Sequence, residues 1–155
     1  MSVEVRPAGP EDMPAAYDVR YEVFVVGQDV PVELERDDLD AGADHVVALR
    51  DGRVVGTARL VSGRIDVEGR LEPGTPGTVG TVGRMAVLEP ERGTGTGARL
   101  LAALEEQARR RGLPEVELHA QVHARGFYER AGYAAFGEIY LEAGIEHVGM
   151  RKPLR

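Results

Sequence analysis

The residues best suited to chemistry stand together at Arg92-Gly93-Thr94-Gly95-Thr96-Gly97. An arginine heads three alternating glycines, and the run leads straight into a helical pattern. Such a turn leaves backbone amides pointing outward and adds roughly half a positive charge at the helix start. It also lacks the Cβ atoms that would hold a phosphate at a distance, so its natural ligand is an anion. A nucleotide P-loop would need Lys-Ser/Thr after the last glycine, but Gly97 is followed by Ala98-Arg99. A dinucleotide fingerprint wants Gly-x-Gly-x-x-Gly on the first βα unit and an acidic residue about 20 positions on. The spacing here is Gly93-x-Gly95-x-Gly97. The remaining readings are another phosphate ligand or a turn that glycine merely shapes.

The flanking elements fix where this turn sits. Val82–Val87 is an apolar strand pattern, and Leu88-Glu89-Pro90-Glu91 is a polar turn. Behind the glycines, Leu100, Leu101, Leu104 and Ala108 recur on one helical face, and Gly112 stops the helix beside Arg109, Arg110 and Arg111. Upstream, Val3–Arg6 alternates as a short strand, and Glu11 to about Phe24 has helical spacing behind Pro10. His45–Leu49 and Val54–Val61 form a hairpin around Asp51-Gly52, a pair suited to the positive φ angles of a tight primed turn. Residues 62–81 are a Gly/Pro/Thr-rich loop with a partial strand at Ile65–Val67. Downstream lie a strand at Val116–Ala120, a short helix at Ala124–Ala131 closed by Gly132, and strands at 133–141 and 145–150 joined around Ala143-Gly144. The order predicts an α/β fold on a mixed sheet, in one domain spanning 1–155.

Residues 29–44 carry Asp29, Glu33, Glu35, Asp37, Asp38, Asp40 and Asp44. They form either a solvated loop or a lid that draws in a cationic amine. Composition narrows the function further. The absence of cysteine excludes disulfides, thiolate metal sites and a cysteine nucleophile, and no metal is expected. A net charge of -7, with Lys152 the only lysine, argues against a nucleic-acid grip. No apolar run reaches the ~20 residues of a membrane span, and Met1–Val5 lacks a secretory signal pattern, so a cytoplasmic protein is expected.

At Arg92-x-x-Gly95-x-Gly97, behind the strand Val82–Val87, the sequence resembles the acyl-coenzyme A signature of the GCN5-related N-acetyltransferases (GNAT). Ala124-Arg125-Gly126-Phe127-Tyr128-Glu129-Arg130-Ala131-Gly132-Tyr133 is similar to that family's Ala-x-x-Phe-Tyr-x-x-x-Gly-aromatic segment. A narrower likeness is to the bacterial ElaA-like proteins. It is carried by Tyr21–Val26, Asp29-Val30-Pro31, Asp37-x-x-Asp40, Gly56-Thr57-Ala58-Arg59-Leu60, Gly83-Arg84-Met85-Ala86-Val87, Leu118-His119-Ala120-Gln121, Gly137-Glu138 and Gly144-Ile145-x-His147-x-x-Met150. The resemblance implies a GNAT-like, largely antiparallel central sheet flanked by helices and splayed between its fourth and fifth strands. It implies acetyl-coenzyme A as cosubstrate, held at its pyrophosphate by the amides of Arg92, Gly93, Thr94, Gly95, Thr96 and Gly97. Its amide arm would lie along Met85, Ala86 and Val87 as an added strand. Tyr128 would be the general acid for the departing thiolate; the plainer reading is a core tyrosine beside Phe127.

Acyl transfer to an amine needs a neutral nucleophile. Near pH 7, neutralising a lysine-like amine of pKa ~10.4 costs roughly 4–5 kcal/mol. Some family members carry a glutamate on the strand ahead of the cofactor arm, whereas Thr78-Val79-Gly80-Thr81 has no acid. Gly27 stands where the narrower group often has glutamate. The base candidates are Glu35, Asp37, His119 and Glu138, while His45 and His147 read as structural. The expected activity is transfer of acetyl to the primary amine of a small molecule or peptide; the alternative is a non-catalytic acyl-coenzyme A-binding module. Neither nucleic acid nor membrane is an expected partner, and exposed sheet edges are compatible with a homodimer.

Overall fold

A computed structural model of the chain describes residues 3–154. Met1 and Ser2, which opened the stretch read for a secretory signal, and Arg155 lie outside the described residues. Seven strands make one sheet: β1 (Glu4–Pro7), β2 (Asp44–Arg50), β3 (Arg53–Ser62), β4 (Gly80–Val87), β5 (Glu115–Gln121), β6 (Ala134–Glu142) and β7 (Ile145–Pro153). Their order is β1-β2-β3-β4-β5-β7-β6. All neighbours are antiparallel except β4 and β5, which run parallel and pair only at Gly80↔Val116, Thr81↔Glu117 and Val82↔Leu118. Beyond Val82 the two strands part, which is the splay the family resemblance implied.

Local chemistry explains the connections. Asp51 and Gly52 sit at φ 52° and 79°, and Ala143 and Gly144 at 52° and 77°, so both hairpins turn through paired positive φ angles. Four α-helices join the strands: α1 (Met13–Arg20), α2 (Val32–Glu35), α3 (Thr96–Arg110) and α4 (Arg125–Arg130). The helix expected over 11–24 is a composite. Its first turn, Pro10–Asp12, is a 3₁₀ turn, and Tyr21–Val26 widens into a π-helical segment. The partial strand expected at Ile65–Val67 is reduced to one isolated bridge, Ile65↔Leu71.

The α3 face of the sheet holds the main apolar core. Leu100, Leu101, Leu104 and Ala108 of α3 are buried against Val46, Ala48, Ala58, Leu60, Val82, Val116, Leu118 and Met150. Helix α3 ends as its sequence predicts: Gly112 takes φ 71°, and the Leu113 amide donates to the Ala108 carbonyl at 3.0 Å. The opposite face carries two smaller clusters, Ala16-Val47-Leu49 and Val19-Val23-Ala86, under α1.

A bulge in β4 gives one strand to both layers. Thr57 faces Ala86 and Arg59 faces Gly83, so Arg84 and Met85 together oppose Ala58 alone. Arg84 takes φ 53°, a strained angle for a residue with a Cβ. Before the bulge Val82 joins the α3-side core; after it Met85 and Val87 pack there, and Ala86 turns to α1.

Candidate acyl-transfer site

The glycine turn lies at the start of α3, beside the part of β4 that β5 leaves unpaired. Gly93 and Gly95 sit at φ 77° and 85°, and a Cβ added to either would meet nothing within 4 Å. The left-handed cap at Gly95 offers no side chain to the helix, so the first amides of α3 have no side-chain cap. These features fit an anionic group such as a pyrophosphate: the helix is 15 residues long, its end is positive, and the space beside the glycines is open. Not every group in the turn is free. The Arg92 amide donates to the Glu89 carbonyl at 3.1 Å, and its Nε donates to the Val87 carbonyl at 3.0 Å. Thr94 Oγ1 donates to the Glu91 carbonyl at 2.6 Å and lies 2.9 Å from Thr96 Oγ1. Gly97 differs from the first two glycines: a Cβ there would lie 3.3 Å from the Phe127 ring. Its missing side chain lets α4 pack on the turn.

Tyr128 follows Phe127 on α4 and packs against the main core. Its ring is edge-on to Phe127 at 5.0 Å and to Tyr133 at 6.1 Å. Burial pushes its hydroxyl up to about 12, so the group keeps its proton through the neutral range. The hydroxyl has no hydrogen-bond partner among the described residues. Tyr133 is held differently, its hydroxyl donating to Glu105 at 2.8 Å while Lys152 Nζ donates to the same carboxylate at 3.1 Å.

The base candidates scatter. Glu35 and Asp37 enter a network beneath the segment between α1 and β2. Arg20, 1% exposed, donates to Glu35 Oε2 at 2.6 Å and to both oxygens of Asp40, at 2.7 and 3.0 Å. Arg59 donates to Asp37 at 2.6 and 3.0 Å and to Asp40 at 2.9 Å. Arg84 donates to the Glu35 carbonyl at 2.8 Å and lies 3.2 Å from Asp37 Oδ2. Burial alone would raise Asp40, but the bonds and charge of Arg20, then Arg59, outweigh it and hold the carboxyl at about 2. Asp37 is likewise lowered, burial being outweighed by Arg59. Burial, with the charge of Arg59 beside it, lowers Arg84. Carboxylates gripped this way resist taking a proton from an amine.

The acidic stretch therefore differs from the cation-drawing lid weighed for it. Glu35, Asp37 and Asp40 are neutralised from inside, and Asp44 pairs with Arg111 through both oxygens. Asp29, Glu33 and Asp38 remain exposed.

His119 lies on β5, one residue past the last pair with β4. Each of its ring nitrogens already faces an acceptor: Nδ1 is 3.2 Å from Glu142 Oε1 and Nε2 is 2.9 Å from the Ile65 carbonyl. Glu138 stands exposed in the irregular stretch of β6 between Phe136 and Tyr140, apart from the other candidates. His45 and His147 bond backbone carbonyls, of Asp40 at 2.9 Å and Ile145 at 2.7 Å, as their structural reading expected.

Residues outside the first reading shape this side. Gln28 and Gln121 exchange amide bonds of 3.3 and 2.8 Å, tying the segment after α1 to the end of β5. Arg20, Arg59 and Arg84 were missed, although Arg59 and Arg84 within apolar strand patterns are themselves a signal: a buried guanidinium demands acids. Glu142 had no comparable signal.

Similarity to known proteins agrees with this geometry. A family model described as an acetyltransferase (GNAT) domain matches residues 11–154. YjcF of Bacillus subtilis, named an uncharacterized N-acetyltransferase, is 36% identical over 143 residues, covering 92% of this chain and 93% of YjcF. ElaA of Escherichia coli is 32% identical over 140 residues, covering 89% of this chain and 85% of ElaA. A crystal structure of a Lactobacillus plantarum protein described as a putative N-acetyltransferase superposes with a TM-score of 0.82 at 30% identity, covering 100% of both chains. With its splayed sheet, its glycine turn and these relatives, the chain belongs to the GNAT acetyltransferase family.

Proposed function

We propose that this chain transfers acetyl from acetyl-coenzyme A directly to a primary amine. One observation carries the reading: the uncapped start of α3 lies beside the unpaired edge of β4, and α4, which bears Tyr128, packs on the same turn through the contact of Phe127 with Gly97. The amides of Gly93 to Gly97, with Arg92 alongside, bind the pyrophosphate. Met85, Ala86 and Val87 hold the amide arm along the strand edge. Bound acetyl-coenzyme A supplies an acyl group activated as a thioester. Transfer forms the C–N bond and breaks the C–S bond. The amine sheds its extra proton to solvent before it attacks; Tyr128 then gives its proton to the departing sulfur and regains one from the acylated nitrogen, leaving a neutral amide and the free thiol. The absence of cysteine favours direct transfer, since no thiol can carry the acyl group between substrates.

The test is thiol release from acetyl-coenzyme A with a panel of amines, for the wild type and Tyr128→Phe. Amine-dependent release that falls in the variant supports the reading. Tight cofactor binding with no release by any amine would instead support a binding module. A Gly95→Asp change should abolish cofactor binding by setting a carboxylate against the phosphates; unchanged affinity would move the pyrophosphate elsewhere.

A further inference from the structure

The sheet face opposite α3 carries a polar cluster that the transfer chemistry above does not use. His119 on β5, Tyr140 and Glu142 on β6 and His147 on β7 lie on one side of three neighbouring strands. Tyr140 stands edge-on to His119 at 5.8 Å and stacks on His147 at 6.0 Å, so one ring fixes two others. Its hydroxyl is buried without a hydrogen-bond partner among the described residues. The cluster begins one residue past the point where β4 and β5 separate, and Arg84 flanks the same opening from β4.

Glu142 is the group here with capacity to spare. Oε1 is oriented by His119 at 3.2 Å, whereas Oε2 lies 3.9 Å from His147 Nε2, beyond hydrogen-bond range. Its side chain is 35% exposed, so a ligand can reach it. We propose that Glu142 determines acceptor specificity by docking a second nitrogen of the acceptor that stays protonated during transfer, so that diamines and other doubly basic amines are the favoured substrates.

Two arguments point to a second nitrogen rather than the reacting one. The carboxylate stays ionised: burial would raise it, but the bond from His119 and the charges of His147, His119 and Arg84 hold it below its usual range. An ionised carboxylate favours the charged form of whatever amine it binds, and the reacting nitrogen must shed its charge before it attacks. The segment between α1 and β2, the other acidic feature, has Glu35, Asp37 and Asp40 already matched to arginines.

This inference rests on the N-acetyltransferase reading, and the test separates the two. Thiol release is measured with diamines of three to six methylenes and with the matching monoamines. The best diamine should exceed its monoamine by about tenfold in kcat/KM, the worth of one charge-assisted contact. Glu142→Gln should erase that ratio by raising the diamine KM, leaving acetyl-coenzyme A affinity unchanged. Should the variant fold poorly, added salt on the wild type gives the same readout, weakening diamine use and sparing monoamine use. Equal use of diamines and monoamines, or a ratio that survives Glu142→Gln, overturns the inference while leaving the acetyltransferase reading intact. If no amine is turned over, calorimetry decides: 1,4-diaminobutane should bind the coenzyme A-loaded chain and fail to bind Glu142→Gln, and no binding to the wild type overturns the inference.

Discussion

The two faces of the sheet are held by opposite means. On the α3 face, aliphatic side chains from one regular helix close over the strands, and the contacts are non-directional. On the α1 face, the segment between α1 and β2 is pinned by Arg20, Arg59 and Arg84 against Glu35, Asp37 and Asp40. The first arrangement tolerates reshaping, because removing a methylene loses only its transfer and cavity energy. The second does not, because deleting one member leaves its partners charged and dry. One face is therefore robust, while the α1 side is rigid and unforgiving.

Mutations can break or sharpen this contrast. The largest effect is expected from Arg20→Ala, which strands Glu35 and Asp40 and should cost about 3–5 kcal/mol in denaturant unfolding. Replacing Arg20, Glu35 and Asp40 together by apolar residues of similar volume should recover part of that loss, since Arg59 then loses Asp40 but keeps both bonds to Asp37. On the other face Leu104→Ala should cost about 2–5 kcal/mol, set by how far the cavity collapses. Acid separates the faces without mutation. The folded-state carboxyl of Asp40 lies at about 2 against 3.8 unfolded, so the folded chain binds fewer protons between these values. The stability this confers, roughly 2 kcal/mol, is present above pH 4 and drains away as the pH falls toward 2. Hydrogen exchange should therefore rise first in residues 31–42, before the amides of α3. Gly95→Ala, forced into a left-handed angle, should cost about 1–2 kcal/mol. Arg110→Ala, which removes only an exposed pair with Glu106, should fall within about 0.5 kcal/mol.

The same contrast explains what could be read in advance. The stripe Leu100, Leu101, Leu104 and Ala108 was visible because helical periodicity is local, and Asp51-Gly52 and Gly112 announced their turns by residue type. Gly93 and Gly95 take the open, left-handed geometry that an anion turn needs, but Gly97 serves the packing of Phe127 instead. Arg59 and Arg84 in apolar strands signalled a need for acids, but which acids was illegible because the partners lie far apart in the chain; Arg84 meets Asp37 only once β4 and the α1–β2 segment are in place. Glu142 was hidden for a similar reason. Its contact with His119 depends on β7 pairing directly with β5 and on β6 lying outside β7, an order that departs from the sequence. Local patterns specify elements, and long-range polar partners emerge only with topology.

The bulge at Arg84 has a consequence for how this segment can vary. Because the bulge holds one residue more than the pleat needs, deleting Arg84 would restore an unbroken alternation with Val82, Met85 and Val87 still on the α3 side and Ala86 still on the α1 side. What would be lost is the third guanidinium of the network, with its bonds to the Glu35 carbonyl and to Asp37. The extra residue is therefore expected to tolerate deletion at the cost of anchoring the segment between α1 and β2, whereas removing two residues here would turn Val87 away from the α3-side core.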